Sequence, residues 1–350
     1  MENKKVLVGM SGGVDSSVSA LLLKNQGYEV IGVTLQLWEK NGEETEYCDV
    51  KKICEQLDIK HYITNEKDNF KKCVIDDFIC AYSNCKTPNP CIECNKYFKF
   101  GSMHKLALQL GVDYIATGHY ARTEYSEKYG RIVLKKSSSE KKDQSYVLYS
   151  IDKQVLPYLI FPLADFKDKG QIRQIARDNE LKVANKPDSE DICFIPDGDY
   201  KKFLEENSNL SPKPGNIVDK QGFVLGKHNG LYKYTIGQRK GLGISHPTPL
   251  FVVGFNSKRN EVIVGEHADL FQKELNVEEI NLLAIDKIID GMEVQTKIRY
   301  ATTPINSRLY KNENGTIKVI FDEAVRGATP GQSAVFYDED IVIGGGKICQ

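Results

Sequence analysis

The chain has 350 residues, a formal net charge of −1, 41% hydrophobic and 27% charged residues. That length predicts two or three domains, and the near-zero charge excludes a surface coated in basic residues, so any nucleic-acid contact falls to local patches. No apolar run reaches the length of a membrane span, and Met1 to Lys5 lead into a short strand rather than a signal peptide. A cytoplasmic location is expected, where clustered cysteines are more often catalytic or metal-binding than disulfide-bonded; there are 9 of them.

Over the first ~120 residues short apolar runs alternate with helical patterns, which predicts βαβ units on a parallel sheet. Strands are predicted at 6–10, 29–35, 61–63 and 113–117, and helices at 16–26, 49–57, 66–80, 96–110 and 168–180. Ser11-Gly12-Gly13-Val14-Asp15-Ser16-Ser17 lies between the first strand and the first helix. Glycines let a backbone turn tightly beside an anion, and the unpaired N–H groups opening the helix face it. The stretch is neither a Walker loop nor a G-x-G-x-x-G turn. The bland alternative is a helix cap made by Asp15 or Ser16. Leu35 to Trp38 and Thr117-Gly118-His119 also fall at carboxyl ends of strands, where such sheets bind ligands.

The run Lys135 to Lys142 is Ser-rich and basic, and reads as an exposed loop. Near residue 208 the texture changes. Pro212, Pro214 and Gly215 mark a boundary, followed by short strands with frequent turns. From about residue 275 the alternation of Val294 to Tyr300 and of Thr316 to Phe321, with a hairpin signal at Asn314-Gly315, predicts a small antiparallel sheet or barrel. The fold class is therefore α/β in its first part, with domains expected at 1–205, 206–274 and 275–350.

The cysteines carry the chemistry. Thr87 to Lys96 is a turn that brings Cys91-x-x-Cys94 into a helix, where the helix dipole would lower a thiol pKa. Cys193 stands between acidic and apolar residues, with Asp188 expected as a turn or cap residue of that loop. Cys80, Cys85, Cys91 and Cys94 could supply four zinc ligands, although a second Cys-x-x-Cys is missing. Cys54, Cys73 and Cys80 sit in helical patterns and read as core thiols.

Ser-Gly-Gly-x-Asp-Ser-Ser resembles the PP-loop of the N-type ATP pyrophosphatases, which split ATP between its α- and β-phosphates. With it come Thr-Pro-Asn-Pro-x-x-x-Cys-Asn-Lys at 87–96, Ala-Thr-Gly-His-Tyr at 116–120 and Lys-Asp-Gln-Ser-Tyr at 142–146. Asp-Ser-x-x-Ile-Cys-Phe-Ile at 188–195, Thr-Ile-Gly-Gln-Arg-Lys-Gly-Leu-Gly at 235–243, Thr-Pro-Gly-Gln-Ser-Ala-Val-Phe-Tyr at 329–337 and Gly344-Gly345-Gly346 complete the series. In this order the motifs resemble the bacterial tRNA-specific 2-thiouridylases over nearly the whole chain.

The resemblance implies an adenine nucleotide alpha hydrolase-like parallel-sheet domain, a small central domain and a C-terminal antiparallel β-barrel-like domain. It implies ATP over Gly9, Met10, Ser11, Gly12, Gly13, Val14, Asp15 and Ser16, with Leu35 and Gly118 lining the adenosine, and Mg²⁺ on the phosphates. Cys193 would carry sulfur as a persulfide received from a cysteine desulfurase, directly or through a relay protein. Cys94 would attack that persulfide and leave a Cys94–Cys193 disulfide. Asn89, Pro90 and Cys91 would touch the target base, and His119, Lys142, Asp143, Gln144, Arg299, Tyr300 and Gln332 the tRNA.

One position departs from the family. Cys91 stands where its best-known members carry Asp, and a thiol manages protons less well near neutral pH. Cys91, Cys94 and Cys193 also resemble the three-cysteine set by which related tRNA thiolases hold a [4Fe–4S] cluster, so a persulfide route and a cluster route both stand open. The competing readings are a small-molecule PP-loop ligase or amidotransferase partner and a non-catalytic sulfur or Fe–S carrier. For tRNA phosphates, Lys227, Lys233, Arg239 and Lys240 between Gln221 and Pro247 form a basic stretch free of acids, with Tyr232 and Tyr234 placed for stacking.

Overall fold

The computed structural model describes residues 4–38, 43–187 and 191–349. Asp188 lies outside the described residues. The first strand, β1 (Lys5–Gly9), is apolar on both faces, as a central strand of a covered parallel sheet must be. Leu7 points into one core and Val6 and Val8 into another, all without exposed surface. The chain then runs through α1 (Val14–Asn25), β2 (Glu29–Gln36), α2 (Glu43–Gln56) and β3 (Lys60–Asn65). After β3 come α3 (Lys67–Phe70) and α4 (Asp76–Ser83), then α5 (Pro90–Cys94) and α6 (Met103–Leu110), and β4 (Tyr114–Ala116). The predicted helices at 66–80 and 96–110 are composites. A π-helical segment, Lys71–Ile75, joins α3 to α4, and another, Asn95–Ser102, joins α5 to α6. Such segments recur at functional sites because they re-aim side chains within a helix.

A hairpin, β5 (Arg122–Ser126) and β6 (Arg131–Lys135), precedes a short β7 (Leu159–Ile160). The parallel sheet has the order β3-β2-β1-β4-β7. Helix α7 (Lys169–Asp178) lies beside α1, and α8 (Tyr200–Asn207) leads out of this region.

The next four strands, β8 (Pro214–Val218), β9 (Val224–Asn229), β10 (Phe251–Asn256) and β11 (Glu261–Gly265), form a separate sheet in the order β10-β11-β8-β9 over a small core of Ile217, Val252, Val262 and Val264. Then β12 (Phe271–Leu282), β13 (Met292–Lys297), β14 (Ile305–Lys311), β15 (Ile317–Arg326), β16 (Ser333–Asp338) and β17 (Ile341–Cys349) pair in the order β12-β15-β14-β13-β16-β17. Pairing of β12 with β17 closes them into an antiparallel barrel, which removes its sheet edges.

The hairpin β5–β6 is attached to the barrel, through Ile341 opposite Lys135, so the first region contributes two strands to the barrel's sheet. One expectation needs correction. The run 135–142 is not simply an exposed loop: Lys135 ends β6, and Ser139 is only 3% exposed. Its hydroxyl donates to the Lys167 carbonyl at 2.7 Å, which lets a polar side chain sit inside at little cost. Among the described residues no helix is long and apolar enough to cross a membrane.

Candidate active site

Strand β1 ends at Gly9, and Met10 to Gly13 swing over the sheet to start α1. Gly12 takes φ +72°, a conformation that side chains disfavour. The residue capping α1 is Gly13, in an extended conformation and with no side-chain cap. The bland alternative of a serine or aspartate cap therefore fails. Serine hydroxyls instead brace the loop from inside: Ser16 Oγ accepts from the Ser11 N–H at 3.3 Å, and Ser17 Oγ donates to the Gly13 carbonyl at 2.9 Å. The loop's shape is thus held by buried hydroxyls, while the opening N–H groups of α1 stay available to an anion.

Two lysines that the sequence reading passed over reach this loop. Lys169 Nζ, at the start of α7, bonds Asp15 Oδ2 at 2.8 Å, and Tyr120 donates its hydroxyl to Asp15 Oδ1 at 3.1 Å. Lys186 Nζ lies 3.8 Å from the point where a Cβ on Gly12 would stand. Both come from segments more than a hundred residues downstream, and only the packing of α7 beside α1 brings them here.

Gly118 closes the crevice from β4. A Cβ there would stand 2.8 Å from the Asp15 carbonyl carbon and the Ser16 nitrogen. Next to it His119 is only 7% exposed, with Nδ1 2.8 Å from Thr117 Oγ1. Burial, seconded by the charge of Lys99, drives its pKa well below the ordinary histidine range, so the ring is neutral at physiological pH.

The cysteines meet the same crevice. Asn89 caps α5, its side chain accepting from the Cys91 N–H at 3.2 Å, with Pro90 at the first helical position. Cys91 is exposed and Cys94 buried. Cys94 packs with Phe70, Phe98, Phe194 and Ile195 in one apolar cluster, which Leu35 and Trp38 also border. The Cys193 segment and the end of β2 thus converge on Cys94, and Cys91 and Cys193 are both close enough to act on its ionisation. The predicted lowering of a thiol pKa by the helix start is not realised at Cys94. Burial pushes it up to about 12, against the charge of Lys99. Desolvation of a thiolate outweighs a five-residue helix whose last turn, not its first, holds the sulfur.

Among the described residues no three His, Cys, Asp or Glu side chains gather as a metal ion would require. The zinc set Cys80, Cys85, Cys91 and Cys94 is therefore not assembled. Of Cys91, Cys94 and Cys193, one is buried and two are exposed.

Comparison with known proteins places the whole chain. Family models described as the tRNA methyl transferase HUP domain, the tRNA methyl transferase PRC-barrel domain and the aminomethyltransferase beta-barrel domain match residues 4–197, 201–266 and 272–348. The tRNA-specific 2-thiouridylase of Acetivibrio thermocellus is 46% identical, covering 99% of this chain and 100% of that protein. The chain belongs to the tRNA-specific 2-thiouridylase family. The Clostridium beijerinckii 2-thiouridylase is 48% identical over 99% of this chain and 98% of its own length. A solved U34-tRNA thiolase from Methanococcus maripaludis, with its [4Fe-4S] cluster, aligns at 20% identity over 60% of this chain and 69% of that one, with a TM-score of 0.37, a likeness on which no conclusion about a cluster rests.

The other residues singled out in this 2-thiouridylase sequence take varied places. Lys142 is exposed, but Asp143 faces inward and accepts from the Ser145 hydroxyl at 2.7 Å. Burial pushes the Asp143 carboxyl up from its ordinary range, against hydrogen bonds from Ser145 and Ser137. Gln144 is tied to Tyr120, accepting its N–H at 2.9 Å. Arg299 donates to the Gly327 carbonyl and, at 2.8 Å, to the Thr329 hydroxyl, while Tyr300 is exposed beneath the Lys297 ammonium, 5.5 Å from its ring centre. Gln332 spends its amide N–H on the Thr87 carbonyl at 2.8 Å. The basic stretch of 221–247 is smaller than its sequence suggests. Tyr232 is buried, and both its hydroxyl (2.6 Å) and Lys233 Nζ (2.7 Å) are taken by Glu205 from α8, leaving Arg239 and Lys240 exposed.

Proposed function

We propose that this chain catalyses the ATP-dependent 2-thiolation of the wobble uridine in tRNAs of the Lys, Glu and Gln type. The reading is carried by one observation: an anion-ready loop, Cys94 and the Cys193 segment converge at the same strand ends, in a chain nearly half identical along its length to named 2-thiouridylases. A small-molecule ligase would leave the two cysteines without a task, and a non-catalytic carrier would leave the phosphate loop without one.

In this reading ATP lies over Gly9 to Ser16, its adenosine bounded by Leu35 and Gly118, with Lys186 adding charge at the phosphates. Mg²⁺ would come with the triphosphate and neutralise its phosphates. The uridine leaves the anticodon stack, since its C2 carbonyl cannot be reached inside it. Its O2 attacks the α-phosphorus, the bond to the β-phosphate breaks, and pyrophosphate departs as N3 gives up its proton. The terminal sulfur of a Cys193 persulfide then adds to C2, and AMP leaves with the former O2. Cys94, as thiolate, attacks Sγ of Cys193. The S–S bond breaks, its electron pair passes to the sulfur on C2, N3 regains a proton, and C=S results. A Cys94–Cys193 disulfide remains for an external thiol to reduce. A cysteine desulfurase, acting directly or through a relay protein, supplies the persulfide, and the setting is the cytoplasm. Asn89 and Cys91, with Pro90 buried behind them, face the target base; Lys142 and Tyr300 meet the tRNA, and His119, Asp143, Gln144, Arg299 and Gln332 support that surface from beneath, with domains dividing at 1–205, 206–274 and 275–350. No step passes through a metal cluster.

The test is direct. Purified protein given ATP, Mg²⁺, tRNA and a desulfurase with cysteine forms wobble 2-thiouridine, read by mass analysis, and releases pyrophosphate only when tRNA is present. Release that answers to a small-molecule acceptor and not to tRNA would overturn the reading. Lys186→Met raises the KM for ATP about tenfold, the worth of one charge-assisted contact; an unchanged KM removes Lys186 from the phosphate site.

A further inference from the structure

Of the two residues between the cysteines of α5, the second is a glutamate. Glu93 is 9% exposed, an unusual depth for a carboxylate without a partner. Its partner comes from the far end of the barrel: Glu93 Oε1 lies 3.2 Å from Lys347 Nζ on β17. Lys347 is held in turn by Glu279 Oε2 at 3.0 Å on β12. Glu279 takes φ +53°, rare for a residue with a side chain, where the β12–β17 register shifts. A bulge there turns the carboxylate toward the lysine. Burial works against the Lys347 ammonium, yet Glu93 and Glu279, with Asp77 of α4, hold its pKa above the ordinary lysine range.

This contact is one of several. Lys86 Nζ meets Glu278 Oε1 at 3.0 Å, the Thr87 N–H donates to the Pro330 carbonyl at 2.8 Å, and Gln332 holds the Thr87 carbonyl. Every one joins the turn ahead of Cys94 to the barrel, and none touches the phosphate loop. A barrel needed only for tRNA contact would not require a half-buried ion pair at the helix that carries the two cysteines.

We propose that the barrel sets the position of Cys94, and that Glu93 and Lys347 are positioning residues for sulfur transfer. The inference rests on the thiolation reading above. An ion pair partly withdrawn from water and braced by Glu279 tolerates few geometries, so it fixes the rotation of α5 and with it the line from Cys94 Sγ to Cys193.

The measurement that separates positioning from mere stability is the yield of 2-thiouridine per pyrophosphate released. A destabilised enzyme loses both products in proportion, whereas a displaced Cys94 loses only the first. Lys347→Met is expected to lower this ratio about tenfold, with tRNA-dependent pyrophosphate release and the KM for ATP kept. Lys347→Arg restores most of the ratio. Glu93→Asp, which keeps the charge and withdraws it by one methylene, lowers the ratio in protein that melts as a folded domain, and so stands in should Lys347→Met fail to fold. A ratio equal to wild type in Lys347→Met or in Glu93→Asp, or a proportional fall of both products, overturns the proposal. The unaltered chain reports on the reading beneath it: no 2-thiouridine from that protein sinks the thiolation itself, whereas normal yield there and in Lys347→Met sinks only the positioning role.

Discussion

Cys94→Ser lowers single-turnover formation of 2-thiouridine by about 10³-fold or more, the scale expected when a nucleophile is lost. The defect has a signature. Without Cys94 the adduct joining the Cys193 sulfurs to C2 has no resolving thiol, so tRNA accumulates covalently on the protein when no external thiol is present. Adding dithiothreitol releases it as thiolated tRNA. Gel electrophoresis without reductant reads the adduct directly, and its absence in a variant that has released pyrophosphate would refute the assigned order of attack. A pH dependence follows from the burial of Cys94. Its pKa is raised to about 12, so the thiolate is scarce below that and becomes commoner as pH climbs. Alkylation of Cys94 by iodoacetamide in the free protein, followed by peptide mass analysis, is expected to rise about tenfold per pH unit between pH 7 and 9. A plateau in that window would mean that the thiol is not desolvated as the packing with Phe70, Phe98 and Phe194 requires.

Gly118→Ala carries the second large effect. The added methyl would stand 2.8 Å from backbone atoms of Asp15 and Ser16, which have no flexible end to yield. Either β4 retreats or the first turn of α1 tips. Tipping spoils the aim of the N–H groups, the Asp15 bond to Lys169 and the bracing of Ser11 by Ser16 together. Overpacking of this kind costs about 1–3 kcal/mol of stability. Since the crevice is also the proposed triphosphate site, the KM for ATP should rise about 30-fold or more, by the same few kcal/mol acting on binding. Calorimetric titration with a non-hydrolysable ATP analogue checks it. Wild-type affinity in a well-folded variant would place the nucleotide elsewhere.

What could be read in advance divides by sequence distance. The phosphate loop was legible because strand, turn and helix are contiguous, and glycine and serine there have few structural reasons to occur together. The parallel sheet and the barrel were legible from local periodicity. What was not legible depends on partners far along the chain. Lys169 and Lys186 look like surface lysines until α7 packs beside α1. Glu93 looks like a solvated helix residue until β17 brings Lys347 against it. Glu205 cancels part of a basic stretch that contains no acid of its own. Even at Cys94 the ionisation was misread, because a dipole is visible in a motif and a desolvating shell of phenylalanines is not.

The closure of the barrel by β12 and β17 bears on how the protein is made. Ribosomes deliver the chain from its amino end, at roughly 5–20 residues per second, and early domains fold as they emerge. The nucleotide crevice can therefore assemble while the downstream strands are still being polymerised. The turn holding Cys94 cannot be anchored then, because Lys347 and Pro330, its latches, are synthesised far later. A nascent polypeptide would consequently bind ATP before it could exchange sulfur, and competence for the second half-reaction would arrive only after β17 has been released into solution and zipped against β12.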